Sequence, residues 1–141
     1  MSGWFKIDLV PWEITCDDLL SVRQVVFVEE QGVPEEEERD EHDASSMHFL
    51  ARDSSGNPIG TARLLDSGRI GRVAVLREWR GRGLGRALMN AVVAETRLRG
   101  MPRPHLHAQV QTIAFYESLG FVVCGEEFKE AGILHREMEM V

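Results

Sequence analysis

The chain has 141 residues, 43% of them hydrophobic and 28% charged, and a net charge of −7. That length supports one domain with its own core over residues 1–141, without disulfide or metal staples. The acidic balance disfavours nucleic acid as a partner, and no apolar run is long enough for a bilayer; with no signal-peptide pattern either, a cytoplasmic location without membrane association is expected.

Residues 4–10 alternate Phe5, Ile7 and Leu9 against Lys6 and Asp8, which predicts a first strand. Thr15 and Asp18 make a capping-box-like start for a helix carrying Leu19, Val22 and Val26, which runs out at the breaker cluster Gln31-Gly32-Val33-Pro34. Residues 47–52 and 59–65 flank a strong turn, Asp53-Ser54-Ser55-Gly56-Asn57-Pro58, and predict a hairpin, with residues 69–75 as a further antiparallel strand. Leu84, Leu88, Ala91, Val92 and Leu98 form a helical stripe closed by Arg99, Gly100 and Pro102. A short strand (105–109), a short helix (112–119) and two strands (121–124 and 133–140) around a loop at 125–132 complete the pattern. Cys16 and Cys124 are expected as buried free thiols, without metal-ligand spacing.

Charge is unevenly distributed. Residues 29–43 carry nine acids against one arginine, and residues 69–86 carry six arginines against one acid, Glu78. The arginine-rich segment suits an anion. The acidic one reads either as a solvated face that keeps the chain soluble or as the mouth of a site for a cation.

The most informative stretch is Arg80-Gly81-Arg82-Gly83-Leu84-Gly85-Arg86, between an apolar run and an amphipathic one. Three glycines in five residues let a backbone pass close to a ligand, and the helix start beyond them offers unpaired N–H groups to an anion. Strand, glycine turn and helix N-terminus together read as a diphosphate cradle. A nucleotide P-loop is excluded because no Gly-Lys-Ser/Thr end is present. A dinucleotide fingerprint is excluded because the third glycine comes one position early and the loop lies mid-chain.

On these residues the chain resembles the GNAT acetyltransferases. Arg80-Gly81-Arg82-Gly83-Leu84-Gly85 matches that superfamily's Arg/Gln-x-x-Gly-x-Gly/Ala signature, and Phe115-Tyr116-Glu117-Ser118-Leu119-Gly120-Phe121 looks like its Y-E-x-x-G-F segment, about thirty residues on. Phe27-Val28-Glu29-Glu30-Gln31-Gly32-Val33-Pro34 is similar to a small bacterial branch with an F-V-x-E-Q-x-V-P motif. The resemblance implies an α+β GNAT fold: a mixed, mostly antiparallel sheet of about seven strands flanked by about four helices, splayed at the cofactor site.

It implies acetyl-CoA as co-substrate and no metal. The N–H groups of Arg82, Gly83, Leu84, Gly85 and Arg86, with Gly81 and the Arg80 side chain, would hold the diphosphate. The backbone of Val73, Ala74 and Val75 would pair with the pantetheine arm, and the Val75 N–H would bond the thioester oxygen. Phe115 would wall the pantetheine. Gln109 falls where many members have an asparagine that bonds the same arm. Tyr116, the only tyrosine, falls on the family's general acid and would protonate the leaving thiolate.

Glu30, Asp43, His48 and His107 are candidates for the base that deprotonates the amine. Glu30, Asp43 and His107 are also expected at the acceptor pocket. The function implied is an N-acetyltransferase acting on a small-molecule or peptide primary amine by direct attack in a ternary complex. Many relatives dimerise, so a homodimer is an expectation. A CoA-binding sensor without turnover, or transfer of a longer acyl group, stays open as an alternative.

Overall fold

The computed structural model describes residues 3–140. Its seven strands are β1 (Phe5–Val10), β2 (Met47–Asp53), β3 (Pro58–Leu64), β4 (Arg69–Val75), β5 (His105–Gln109), β6 (Phe121–Glu130) and β7 (Ile133–Met140). The helices are α1 (Trp12–Arg23), α2 (Glu35–Glu38), α3 (Leu84–Leu98) and α4 (Ile113–Glu117). The strands form one sheet in the order β1-β2-β3-β4-β5-β7-β6, antiparallel except between β4 and β5. Among the described residues no helix is long and apolar enough to cross a membrane.

The core sits between the sheet and α3, whose stripe (Leu84, Leu88, Met89, Val92) is at most 1% exposed and packs on Phe49, Ile59, Leu106 and Met138. Burying side chains of this size supplies about 1.5–3 kcal/mol each. Side chains alternate across a strand. Phe49 of β2 therefore faces α3, while neighbouring His48 faces the other way and packs at a tilt on Trp12 of α1, with ring centroids 4.8 Å apart.

Three local expectations are corrected. The first helix begins at Trp12, not at a Thr15–Asp18 box, because extended Pro11 ends β1 and its carbonyl accepts bonds from the Thr15 N–H and hydroxyl. Asp18 instead pairs with Arg52 at 2.9 Å. The stretch 125–132 is not a loop: β6 bulges between Val123 and Glu127, where the Gly125 carbonyl accepts from Arg136, and then pairs on to Glu130. The turn is only Ala131-Gly132, both left-handed (φ 52° and 76°), as a two-residue hairpin requires. Cys124 is exposed and Cys16 partly buried, since both lie off the packed faces.

Gly68 lies in the β3–β4 turn at φ +90°, where a Cβ would stand 2.7 Å from the Pro102 carbonyl oxygen and 2.8 Å from that of Arg103. Gly56, in the β2–β3 turn at φ +86°, has open space. Gly56→Ala is expected to cost about 1 kcal/mol, the left-handed penalty alone. Gly68→Ala should cost at least about 1 kcal/mol more, because two backbone carbonyls must move; urea denaturation of the two variants measures the difference.

Candidate active site

The site begins where two parallel strands part. β4 pairs with β5 only at Arg69–His105 and Ile70–Leu106. Beyond that point a bulge bends β4: its register against β3 shifts between Thr61 and Arg63, and Arg72 sits in the left-handed region at φ 49°. The surroundings hold this strained residue firmly. The Thr61 hydroxyl donates to the Arg72 carbonyl at 2.9 Å, and the Arg72 guanidinium donates to the Glu38 carbonyl at 2.8 Å and to Asp40 at 3.1 Å.

The Leu76 N–H points to β3, donating to Ile59 at 3.0 Å, so alternation turns the backbone groups of Val75 and Val73 toward the gap. The Val75 carbonyl there accepts from Arg80 Nε at 2.9 Å.

At one end of the gap stands the glycine turn. Gly81 and Gly83 have φ of 75° and 84°, and a Cβ on either would meet nothing within 4 Å, so the turn is open to a ligand. Gly83 precedes α3 with no side-chain cap, and the first helical bond runs from the Ala87 N–H to its carbonyl. The N–H groups of Leu84, Gly85 and Arg86 have no partner within the helix. The Arg82 guanidinium stacks 4.8 Å over buried Trp79, and Arg86 donates to Ser118 at 3.0 Å. Phe115 packs on Gly85, with its ring 3.4 Å from where a Cβ would stand. These features fit an acyl-CoA diphosphate: an uncapped helix start, open glycines and arginines.

A cleft of about 540 Å³ opens along the gap, lined from β4 by Val73 and Arg72, from β5 by His107 and Gln109, and from α4 by Tyr116. Tyr116 packs edge-on to Phe115 and Phe121 at 5.1 and 6.1 Å, and burial pushes its phenol up to about 12. The amide of Gln109 donates to Gln31 at 2.8 Å, across from the segment that carries the F-V-x-E-Q pattern. That segment is a π-helical continuation of α1 (Gln24–Glu30), which periodicity did not predict.

The remaining candidates are dispersed. Glu30 is not on the cleft: both its carboxylate oxygens accept from Arg80, at 3.1 and 3.0 Å, beside the glycine turn. Asp43, at the end of the acidic segment, and His48 are buried. Asp43 accepts from Arg23 at 2.9 Å and Arg63 at 3.0 Å, and His48 Nε2 donates to the Asp43 carbonyl at 2.7 Å. Burial alone would raise the Asp43 carboxyl, but the hydrogen bond and charge of Arg23, with those of Arg63, outweigh it and hold it below the usual range. Burial pushes the His48 imidazole down.

Only part of the acidic run is a solvated face. Glu38, Asp40 and Asp43 are pinned by Arg23, Arg63 and Arg72, and Glu37, Asp40 and Glu41 line the cleft. Sequence reasoning missed Glu130, which lines the opposite wall. Its Oε1 lies 3.0 Å from His107 Nδ1, a nitrogen that Arg69 Nη2 also approaches at 2.8 Å, and it accepts from Arg69 at 3.3 Å; the His107 bond with the charges of His107, Arg69 and His135 lowers its carboxyl to about 2. No signal marked it, because it lay in what read as loop.

The family described as acetyltransferase (GNAT) domain matches residues 16–141. The N-acetyltransferase YjcF of Bacillus subtilis is 38% identical, with 86% of this chain and 89% of that one aligned. An acyl-CoA N-acyltransferase from Pseudomonas aeruginosa superposes with a TM-score of 0.82 at 31% identity, over 98% of this chain and 99% of that one. A chain named as an N-acetyltransferase from Lactobacillus plantarum gives 0.87 at 28% identity, over 96% and 97%. Fold and likeness define the class: an α+β acyltransferase enzyme with a splayed mixed sheet. The chain belongs to the GNAT acetyltransferase family.

Proposed function

We propose that this chain moves the acetyl group of acetyl-CoA to a primary amine by direct attack in a ternary complex. The observation that carries the reading is the unpaired β4 edge at Val73–Val75, which lies between the open glycine turn and Tyr116. The diphosphate is held by the N–H groups at the start of α3 with Arg82 and Arg86. The pantetheine arm runs along the Val73–Val75 edge against Gln109 and Phe115. The Val75 N–H donates to the thioester oxygen, where charge develops. Tyr116 hydrogen-bonds the sulfur and gives it a proton as it leaves. Arg80, paired with Glu30 and the Val75 carbonyl, holds the end of β4 in place beside the turn. Calorimetric titration is expected to give acetyl-CoA a Kd at least about tenfold below that of ATP. Equal or absent binding overturns the reading.

The acceptor is a cationic amine, such as a polyamine, an aminoglycoside or a lysine side chain. Glu37 and Glu41 line the cleft without an arginine ion pair among the described residues, leaving negative charge for an ammonium. Replacing both by Gln should raise KM for spermidine about threefold to tenfold with little change in kcat, more strongly at low salt. An unchanged KM removes the acidic wall from acceptor binding.

A further inference from the structure

On β5, Leu106 and Ala108 are buried in the core, so His105, His107 and Gln109 share the opposite face. His107 stands one strand repeat, about 7 Å, from Gln109. Charged groups from three strands bracket its ring. Glu130 Oε1 of β6 is 3.0 Å from Nδ1, Arg69 Nη2 of β4 is 2.8 Å from the same nitrogen, and Glu137 Oε2 of β7 is 3.9 Å from Nε2. His135 of β7 faces the far oxygen of Glu130 at 3.9 Å, and Phe128 packs edge-on to the His107 ring at 5.0 Å. The left-handed Ala131-Gly132 turn delivers Glu130 to this place.

We infer that His107 is the base that takes the proton from the acceptor nitrogen, and that Glu130 is the positioning residue that selects its tautomer. The inference rests on the acetyl-transfer reading. Two neighbours compete for Nδ1, a carboxylate and a guanidinium. Arg69 has Glu130 itself as an acceptor at 3.3 Å, whereas an N–H on Nδ1 satisfies the Glu130 anion directly. With the proton on Nδ1, Nε2 keeps its lone pair, and Glu137 at 3.9 Å lies beyond hydrogen-bond length. Once Nε2 is protonated, Glu130 and Glu137 flank the imidazolium with two negative charges against the one positive charge of Arg69.

The transfer balances. The neutral amine nitrogen bonds to the thioester carbonyl carbon, and the C–S bond breaks with its electron pair on sulfur. The surplus proton on nitrogen passes to His107 Nε2, directly or through one water, and sulfur takes the Tyr116 proton. Solvent then returns a proton to the Tyr116 oxygen and removes one from His107, leaving an amide and a thiol.

The test is CoA release from acetyl-CoA with spermidine, kanamycin and a lysine peptide as acceptors, across pH. His107→Gln is expected to lower kcat/KM about 100-fold or more, to abolish the enzyme's inflection on the acidic side, and to leave acetyl-CoA binding by calorimetry unchanged. Glu130→Gln should lower kcat about tenfold and move that inflection to lower pH, because the charge favouring the imidazolium is gone. A merely structural Glu130 would not move it. Should His107→Gln lose its fold by circular dichroism, the Glu130→Gln profile decides alone. An active wild type whose His107→Gln variant stays within threefold, or whose inflection is unmoved by Glu130→Gln, overturns this assignment only. A wild type that binds no acetyl-CoA, or releases no CoA with any of these amines, overturns the acetyl-transfer reading and this one with it.

Discussion

Tyr116→Phe is expected to lower kcat by about 10²–10³-fold while the Kd for acetyl-CoA stays within about twofold. The substitution removes one hydroxyl and keeps the ring that packs on Phe115 and Phe121. Burial pushes the phenol up to about 12, so no alkaline loss of activity should arise from it below about pH 11. A phenol this weak does not protonate an ordinary thiolate of pKa about 8.5. On the proposed reading its proton moves because the sulfur departs beside the buried phenol, where the same burial would raise the thiol. On that reading the hydroxyl hydrogen-bonds the sulfur throughout and completes the transfer as the C–S bond breaks. Stopped-flow turnover with calorimetry on the same preparation checks both halves. A variant with kcat within threefold of wild type removes Tyr116 from the reaction.

Arg23→Met is expected to destabilise the protein by about 3–5 kcal/mol. Arg23 is 1% exposed at the end of α1, and its guanidinium meets Glu38 at 2.6 Å and Asp43 at 2.9 Å. Methionine fills much of the volume but leaves two buried carboxylates short of a partner. The same network makes the fold acid-sensitive. Asp40 is partly buried, which would raise its carboxyl, but the hydrogen bond from Arg63 and the charges of Arg63 and Arg72 hold it below the usual range, as Asp43 is held. A depressed carboxylate contributes stability that is present above its unfolded value, near 4, and lost as pH falls through the folded one. His48, also depressed, contributes in the same direction, fully above about 6.5 and less below it. Urea midpoints should thus fall gently below about pH 6.5 and steeply below about pH 4 in wild type, with a shallower acid dependence in Arg23→Met. Equal slopes would show that the network does not carry the pH dependence. Because this network moors the segment carrying Glu37 and Glu41 to the cleft, the variant should also raise acceptor KM.

Most strands and α3 were legible in the chain because each has a simple period. The apolar run within Arg69–Val75, the short strand His105–Gln109 and the stripe of Leu84–Leu98 match the observed bounds. The irregular elements were not legible. The π-helical stretch Gln24–Glu30 has no pattern distinct from an α-helix, and the bulge at Cys124–Glu126 with the turn at Ala131 looked like loop because glycine and charged residues interrupt the alternation. Each is a local departure that neighbouring strands and side chains stabilise, and only those neighbours reveal it.

The chain alone was enough to reveal its family, and it marked the glycine turn that is proposed to hold the cofactor. The glycine turn, the helix start beyond it and the Tyr116 segment are local motifs, whose chemistry depends on residues adjacent in the chain. The arrangement of charged residues at the proposed acceptor end was visible only in the folded structure. Folding withdrew Glu30 to Arg80, buried Asp43 against Arg23 and His48 against the Asp43 carbonyl, and brought Glu130 within 3.0 Å of His107, 23 positions away in the chain. A carboxylate's role depends on which charge reaches it and how much water remains around it, and both are set by strands that meet only after the sheet has formed.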